Sequence, residues 1–456
     1  MSPDRAHAPD RPVLLRGGTV VTVDAARRVL PDTDVLVRGT RIAAVGPRLP
    51  VPPDAEVVDA RGGIVMPGMV DTHRHLWQTA VRGYGADWTL TQYFVWFYQR
   101  YGALFRPEDI HAGNLLAAIE AVDAGVTTVV DWSHGLRTTE HAEAAVDALR
   151  SVPGRFVLAY GNIHRPPGVW ATSPGFRDFA RRHFPGSDPL RFQLAFDVTG
   201  DPVFPERAAF EVARDLGVPV TTHAGVWGVN GDAGVRLIHE HGFATELTVY
   251  VHAASLSDES YRLIAGSGGT ISISAESEQS AGQGYPPTRV SRTHGIPVSL
   301  SMDTSAWWSG DLFSAMRATL GADRAHEHLR AHARGETITR NALRADQVVE
   351  WATRGGARAL GRDGEFGSVE VGRAADLVVL KHDLAFPLLH PHGHIVFQAQ
   401  RDHVHTVLVG GRVAKREHRL VGVDLQAARR AVERTVEHLR RSIGEAAWQE
   451  GVDLPV

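Results

Sequence analysis

Two histidines separated by one residue, His73 and His75, follow a short apolar segment at residues 64–70. Because side chains at positions i and i+2 of a strand project to the same side, both imidazoles would point at one place. Neutral imidazoles that converge in this way are typical ligands of a divalent transition metal. The chain contains 24 histidines, so this pair predicts a metal site only if further ligands follow at other strand ends.

Three more side chains of the ligand type stand at the ends of apolar, β-branched segments: His223, His252 and Asp303. Each could be structural, since a strand-end aspartate often caps a turn or helix and a strand-end histidine is often an ordinary polar group. In a parallel α/β barrel, however, the carboxyl ends of all strands open on one face. The pattern therefore predicts a site of nitrogen and oxygen ligands with one coordination position left open.

The elements that would position these residues alternate between strand-like and helix-like segments across residues 66–365. Eight strands with intervening helices predict a closed (β/α)8 TIM barrel, whose chemistry lies at the carboxyl ends of the strands. A helix is expected at 107–124. The predicted strands are 64–70, 126–131, 156–160, 191–197, 218–223, 248–252, 270–274 and 296–303.

The two ends of the chain have a different sequence pattern from this middle region. Residues 1–65 and 366–422 consist of short β-branched runs separated by glycine-containing turns, which predicts one small β-sandwich domain assembled from both termini. Residues 423–456 predict a last helix, with Asp424 as its N-cap and apolar residues along one face.

Composition narrows the possible functions. The chain has 456 residues, a formal net charge of −4 and no cysteine, which argues against nucleic-acid binding and excludes disulfides and thiolate metal sites. Residues 1–12 are polar, and no run of 18 apolar residues occurs, so we expect a cytoplasmic protein without a membrane partner.

A co-linear series of motifs runs through nearly the whole chain: PGMVDTHRH (67–75), RG (82–83), PED (107–109), AGVTT (124–128), ARALG (357–361), GS (367–368), GRAADLV (372–378) and VGG (409–411). In these motifs the sequence resembles the amidohydrolase superfamily. The branch that it resembles contains triazine hydrolases (chlorohydrolases), adenosylhomocysteine-type deaminases, and guanine and cytosine deaminases. The series is specific for the fold and the metal site and much less so for the substrate.

The resemblance implies that His73, His75, His223 and Asp303 bind one divalent ion, with His252 beside the water that the ion activates. Asp303 would accept a proton from this water and later pass it to the leaving group. His252 would hydrogen-bond the attacking oxygen or the developing oxyanion. Zinc is the favoured ion and iron the alternative, since histidine and aspartate accept both.

The lysines bear on the number of metal ions. Many amidohydrolases bridge two metals with a carboxylated lysine on strand four of the barrel. The chain has two lysines, Lys381 and Lys415, and both lie beyond the predicted barrel. We therefore expect a single ion.

One position departs from the deaminase pattern. In that branch a glutamate three residues after the strand-five histidine protonates the substrate ring, and this chain has Val226 there. Two carboxyls, Glu276 and Glu278, follow predicted strand seven, where the family tends to show Asn-Pro-x-Ser-Asn. One hypothesis is that either glutamate replaces the missing acid, in a pocket of low dielectric that keeps it protonated. The alternative is that both are solvated loop acids or bind a cationic substrate group.

Tryptophan gives the best indication of the substrate. Eight of the ten tryptophans follow predicted barrel strands, and this indole content near one mouth favours a flat aromatic or hydrophobic substrate. The candidate aromatic contacts are Trp77, Trp88, Trp132, Trp227, Trp307 and Trp308, and the candidate polar contacts are Gln78, His134, His164 and Asp197.

These features together predict a metal-dependent hydrolase that cleaves a C–N or C–halogen bond of an aromatic or heteroaromatic small molecule, in the first place a deaminase. Because the usual glutamate is missing, a non-hydrolytic elimination, decarboxylation or rearrangement at the same site is the alternative. A third interpretation, from another class, is a non-catalytic binding protein on this scaffold. A homodimer or larger homo-oligomer is expected at the level of the family.

Overall fold

The computed structural model describes residues 11–184, 191–226, 231–384 and 386–455, and two sheets organise this part of the chain. Eight parallel strands form a nearly closed barrel, in which each strand pairs with its neighbours in sequence. The two terminal regions form a separate nine-stranded sheet with its own apolar core. The predicted barrel, with a β domain built from both termini, is confirmed.

The strands are numbered in chain order. Those before the barrel are β1 (Val13–Val21), β2 (Val29–Arg38), β3 (Arg41–Gly46), β4 (Glu56–Asp59) and β5 (Ile64–Pro67). The barrel contains β6 (Met69–Arg74), β7 (Val126–Ser133), β8 (Arg155–Tyr160), β9 (Arg191–Ala195), β10 (Val220–Ala224), β11 (Val249–His252), β12 (Thr270–Ile273) and β13 (Val298–Leu300). The terminal sheet is completed by β14 (Leu377–Leu380), β15 (Val404–Val409), β16 (Arg412–Arg416) and β17 (Arg419–Leu420).

Helices cover the outside of the barrel. Up to the fourth barrel strand they are α1 (Leu90–Phe94), α2 (Pro107–Asp123), α3 (Thr139–Arg150), α4 (Pro167–Ala171) and α5 (Pro174–His183). The next are α6 (Arg207–Leu216), α7 (Asp232–Glu240), α8 (Asp258–Ser267), α9 (Ala275–Ser280), α10 (Thr288–His294), α11 (Leu312–His332), α12 (Ala345–Glu350) and α13 (Gly356–Ala359). The last are α14 (Pro391–Phe397), α15 (Leu425–Ile443) and α16 (Glu445–Glu450). Among the described residues, every helix is too short or too polar to cross a membrane.

The segment predicted as the first barrel strand, 64–70, is in fact divided between the two sheets. β5 pairs antiparallel with β14 in the terminal sheet, whereas β6 pairs in parallel with β7 in the barrel. Gly68 joins them, and a Cβ atom there would lie 2.1 Å from the side chain of Thr127, so only glycine fits. The prediction of extended structure at residues 64–70 is confirmed, but the segment connects the two sheets. Its second half, β6, carries the histidines.

The C-terminal helix begins where the sequence predicts. The Asp424 carboxylate accepts a hydrogen bond from the backbone N–H of Ala427 at 2.8 Å, which caps α15. The end of the chain then packs against the segment that follows β6, because Trp88 Nε1 donates to the carbonyl of Gly451 at 2.9 Å. The Gln92 side chain likewise donates to the carbonyl of Leu454. These contacts hold the 88–98 segment, which forms one wall of the site described next.

Candidate metal centre

Three imidazoles and one carboxylate converge at the carboxyl end of the barrel. His73 Nε2 lies 3.2 Å from Asp303 Oδ1 and 3.4 Å from His223 Nε2. His75 Nε2 lies 3.4 Å from the same carboxylate oxygen. Ligand atoms about 2.1 Å from a shared ion lie roughly 3.0 to 3.4 Å apart when the ligand–ion–ligand angles are about 90–110°. The spacing of these four side chains therefore fits one shared ion, and the chemistry of the set suits zinc or iron.

Hydrogen bonds fix which nitrogen of His75 and of His223 faces this centre. His75 Nδ1 lies 3.0 Å from the carbonyl of Trp132, and His223 Nδ1 lies 2.7 Å from Asp197 Oδ1. Both partners accept only, so both Nδ1 atoms carry the proton. The Nε2 lone pairs are then directed at the centre, which is the arrangement that metal-binding histidines commonly have.

The protonation states also suit a cation. Burial lowers the pKa of His73 well below its usual value and lowers the pKa of His75 to about 4. Burial alone would raise the pKa of Asp303, but the hydrogen bond from His73 and the charges of the surrounding histidines lower it well below its ordinary value. The imidazoles of His73 and His75 are thus neutral and the carboxylate is ionised near neutral pH, as metal ligands must be.

Asp303 is held by an unusual backbone conformation. Predicted strand eight spans 296–303, but β13 ends at Leu300, and Asp303 has a φ of 66°, in the left-handed region that non-glycine residues rarely adopt. Its N–H donates to the carbonyl of His73 at 3.1 Å, and its carbonyl accepts from the N–H of His75 at 2.8 Å. These two bonds close the barrel between its first and last strands and offset a strain of about 1–3 kcal/mol.

A fifth rim residue, His252, lines the cavity beside this centre. It also has a positive φ, 67°, and its Nδ1 lies 3.4 Å from Glu278 Oε1. Glu278 is fully buried and accepts a hydrogen bond from the N–H of Ser274 at 2.8 Å. Because the Glu278 carboxylate holds Nδ1, Nε2 is the nitrogen of His252 that is available to the cavity.

Neither glutamate expected to act as the acid is among the described residues that line the cavity. Glu278 lies behind His252, so it reaches the cavity only through that imidazole. Glu276 turns away and accepts a hydrogen bond from Ser309 at 3.1 Å. Burial raises the pKa of Glu276 to about 7, and it raises the pKa of Glu278 as well. The raised pKa values agree with the hypothesis that one of these glutamates stays protonated. Neither carboxyl, however, lines the cavity in which a substrate would bind.

The cavity has a volume of about 440 Å³ and opens at the carboxyl end of the barrel. Its floor is formed by His75, His223, His252 and Asp303, and Val226 lies in its wall. The rest of the described lining is largely apolar and aromatic. It includes Leu90, Tyr93, Phe94, Tyr98, Val198, Val235, Ile238, Gln283 and Trp307.

Tyr93 is the centre of a buried hydrogen-bond network. Gln78 Nε2 donates to the Tyr93 oxygen at 2.7 Å, and Thr304 fixes the amide by donating to Gln78 Oε1. His134 Nε2 lies 3.3 Å from the same phenol oxygen, and Trp77 Nε1 donates to His134 Nδ1 at 3.2 Å. The indole N–H needs an acceptor at His134 Nδ1, whereas the carbonyl of Trp132, 3.3 Å from the same nitrogen, needs a donor. The phenol oxygen thus accepts from Gln78, and the direction of its hydrogen bond with His134 depends on the tautomer of that ring.

Only some of the tryptophans that were predicted to contact the substrate lie at the cavity. Trp307 lines the cavity with its ring centroid 4.7 Å from that of Tyr93, and Trp308 packs beside it. Trp132 lies behind the centre, with its ring centroid 4.0 Å from that of His223. Trp77 packs in the core against Phe105, and Trp88 packs against the C-terminal segment, because both follow β6 on its outer side. Trp227 lies outside the described residues.

The predicted polar contacts divide in the same way. Asp197 lines the cavity and orients His223. Gln78 and His134 are buried and reach the cavity through Tyr93. His164 is half-buried after β8, where its N–H donates to Asn162, and it is not among the described lining residues.

Sequence reasoning missed Tyr93, Tyr98 and Gln283. The tyrosines belong to an aromatic-rich segment directly after the histidine motif, and this proximity was the available signal. Gln283 had no such signal, since a single glutamine after a short helix matches no metal or catalytic pattern.

Comparisons with known proteins show the family and agree with the fold. The profile of the Amidohydrolase family matches residues 64–414. The 5'-deoxyadenosine deaminase of Methanosarcina barkeri (strain Fusaro / DSM 804) is 27% identical over 402 residues, 84% of this chain and 88% of that protein. The 5-methylthioadenosine/S-adenosylhomocysteine deaminase of Desulfitobacterium hafniense (strain DSM 10664 / DCB-2) is 27% identical over 408 residues, 85% and 89% of the two chains.

Two solved structures share the fold. An adenosine deaminase from Xanthomonas campestris with bound zinc has a TM-score of 0.80 at 23% identity and covers 95% of this chain and 100% of its own. An atrazine chlorohydrolase mutant from Arthrobacter aurescens TC1, complexed with zinc and atraton, has a TM-score of 0.81 at 24% identity, with coverages of 94% and 100%.

Proposed function

Because the chain belongs to the amidohydrolase family and is therefore a hydrolase, we propose that it deaminates an amino-substituted heteroaromatic compound with the help of one divalent ion. The observation that carries this proposal is the convergence of His73, His75, His223 and Asp303, whose potential ligand atoms lie 3.2–3.4 Å apart in the pairs measured. The deaminase names of the similar proteins support the reaction. The aromatic lining of the cavity supports a flat ring as substrate. Zinc is the proposed ion, and the cytoplasmic location and the homo-oligomer stay predictions.

The proposed roles of the residues follow from their positions. A divalent ion held at this centre would supply a water molecule that is acidified towards neutral pH. Asp303 accepts a proton from the attacking water and carries it to the departing amine. His252, whose Nδ1 is held by Glu278, accepts a hydrogen bond through Nε2 from the water that attacks the ring carbon.

Tyr93 is the proposed source of the proton that the ring nitrogen needs. In the His134 tautomer that accepts from Trp77 at Nδ1, the Tyr93 oxygen accepts from both Gln78 and His134, and its O–H is free to donate into the cavity. Burial raises the pKa of Tyr93 well above its usual value, which keeps the hydroxyl protonated. Tyr93 would thus take the role that Val226 cannot fill, and it would regain its proton from the C–OH group of the adduct as ammonia departs.

The proposal is tested by incubating the metal-loaded protein with adenosine-type nucleosides, aminopyrimidines and amino-triazines in water enriched in ¹⁸O. We expect release of ammonia and one ¹⁸O atom in the product of at least one class. An Asp303→Asn variant is the control and should release none. Turnover of a substrate without ¹⁸O in the product would favour the non-hydrolytic alternative, for which the absence of a carboxylic acid at position 226 is the motivating observation.

A further inference from the structure

Gln283 is a buried amide in the wall of the cavity that the roles described so far do not use. It follows α9, is 2% exposed and lines the same cavity as His252 and Asp303. Its Oε1 atom is buried and has no hydrogen-bond partner among the described residues. Leaving a buried acceptor unpaired costs free energy, so an unpaired amide oxygen at a cavity wall points to a ligand.

The neighbouring groups fix the orientation of this amide. Ser277 Oγ lies 2.6 Å from Asp303 Oδ2, and a metal-binding carboxylate is ionised and only accepts, so Ser277 donates its single proton there. The Ser277 oxygen must then accept from Gln283, whose Nε2 lies 3.0 Å away. If the amide were flipped, two acceptors would face each other. The chain Gln283 to Ser277 to Asp303 therefore commits the NH₂ group to Ser277 and leaves Oε1 as the unpaired acceptor of this lining residue.

We infer that Gln283 Oε1 accepts a hydrogen bond from an N–H of the substrate, and that Gln283 selects amino-substituted rings over isosteric rings without such a donor. This inference rests on the proposed function, since it names the group that the same site recognises. A chloro substituent has about the size of an amino group but no hydrogen to donate. A buried site that hydrogen-bonds a substrate N–H discriminates strongly against analogues that lack it.

The inference is tested with a pair of ligands, a heteroaromatic amine that the enzyme deaminates and its chloro analogue. The variants are Gln283→Leu and Gln283→Met, which remove the acceptor at similar volume. Gln279→Leu is the matched control, because Gln279 is an exposed glutamine on the neighbouring helix. Three quantities are measured for each protein: kcat/KM for the amine, the inhibition constant of the chloro compound, and dissociation constants of both from quenching of tryptophan fluorescence.

We expect both Gln283 variants to lose about 10- to 100-fold in kcat/KM and affinity for the amine, with little change for the chloro compound. Gln279→Leu should match the wild type in every measurement. Bound metal and thermal midpoint are recorded to recognise a variant that does not fold, and Gln283→Met is the milder replacement.

Equal losses for the two ligands, or no loss for either, would overturn the role of Gln283 while leaving the deamination itself intact. A wild-type protein that releases no ammonia from any amine would instead overturn the proposed function. In that case the dissociation constants still decide whether Gln283 distinguishes an N–H donor from chlorine.

Discussion

At the carboxyl end of the barrel three histidines and an aspartate converge, and at the ends of β14 and β15 the residues His382, Asp402 and His403 lie equally near one another. In both clusters the potential ligand atoms of three residues lie within 4.8 Å. The residue types are the same, so composition does not separate the two clusters. The difference lies in how the side chains are oriented.

In the second cluster the side chains are held differently. The rings of His382 and His403 are stacked, with centroids 4.5 Å apart and 17° between their planes. His382 Nδ1 already accepts a hydrogen bond from the N–H of Leu384. The Asp402 side chain is 68% exposed, and the cations Lys381 and Arg401 line the same hollow.

In the barrel cluster, by contrast, the ring planes of His73 and His75 are 83° apart, and those of His73 and His223 are 86° apart. The Nδ1 atoms of His75 and His223 are each held by an acceptor, and both lone pairs are thereby aimed at one point. Residues of the ligand type that lie close together do not by themselves define a metal site. Hydrogen-bond partners that orient the ligands are needed as well.

The strongest test of this comparison is to remove one histidine from each cluster. His223→Ala should lose the bound ion and all turnover, because the ion loses one of the three imidazoles that hold it and Asp197 loses the ring that it orients. His403→Ala should keep one ion per chain and full activity. Metal content by mass spectrometry and ammonia release measure both. Loss of metal from His403→Ala, with metal retained in His223→Ala, would reverse the assignment of the two clusters.

The next largest effect is expected at Tyr93, whose O–H is directed by Gln78 and His134. Tyr93→Phe should lower kcat about 100-fold with little change in KM, since a positioned acid typically contributes that much. Tyr101→Phe is the matched control, because Tyr101 packs on Trp96 and is not among the described lining residues. Steady-state kinetics measure both variants.

A rescue experiment separates a proton donor from a packing residue. Val226 faces the cavity, so adding Val226→Glu to Tyr93→Phe introduces a carboxyl at the position where the deaminase branch carries its acid. We expect kcat to recover in part, with a pH profile that now falls as the new carboxyl ionises. If kcat does not change in Tyr93→Phe, Tyr93 is not the acid.

A smaller effect is expected at the two glutamates after β12. Glu278→Gln should lower kcat about tenfold, because His252 loses the carboxylate that fixes its tautomer. Glu276→Gln should leave kcat unchanged, because its carboxylate hydrogen-bonds Ser309 outside the described cavity lining. Kinetics of the two isosteric variants at pH 7 make the comparison. Unchanged kcat in both would show that neither glutamate takes part, even through His252.

The sequence was sufficient to predict the rim of the barrel because strand periodicity and chemistry coincide there. His73, His75, His223, His252 and Asp303 stand at or just beyond strand ends, and parallel strands open on one face. The β domain built from both termini could also be predicted, because short β-branched runs separated by glycine-containing turns occur at both ends, whereas strand-like and helix-like segments alternate between them.

What could not be predicted depends on long-range packing. No local signal says that Gly68 divides one apolar run between two sheets, since the close contact is with Thr127 on another strand. Nor does periodicity indicate that Glu278 lies behind His252 or that Gln283 faces the cavity. Those placements follow from the fold of the segment after β12, where the family motif is replaced.

The smallest effect is expected from the pH response of the second cluster. Burial, together with His382 and His418, lowers the pKa of His403 below its usual 6.5, although Asp402 opposes this, and His394 lies 6.4 Å from the same ring. A histidine whose folded pKa is lowered adds stability above pH 6.5, and this stability is lost as the pH falls further. The free energy of unfolding of the wild type should therefore fall between pH 7.5 and 5.

Replacing this histidine should remove part of that fall. In His403→Gln the loss between pH 7.5 and 5 should be smaller than in the wild type by about 0.5 kcal/mol, measured by urea unfolding of the metal-loaded protein at both pH values. His332→Gln, the same change at an exposed histidine at the end of α11, is the control and should follow the wild type. If the free energy of unfolding fell more in His403→Gln than in the wild type, the pKa of His403 would be higher in the folded than in the unfolded protein. Its neighbours would then stabilise the cation of His403 and not its neutral, stacked form.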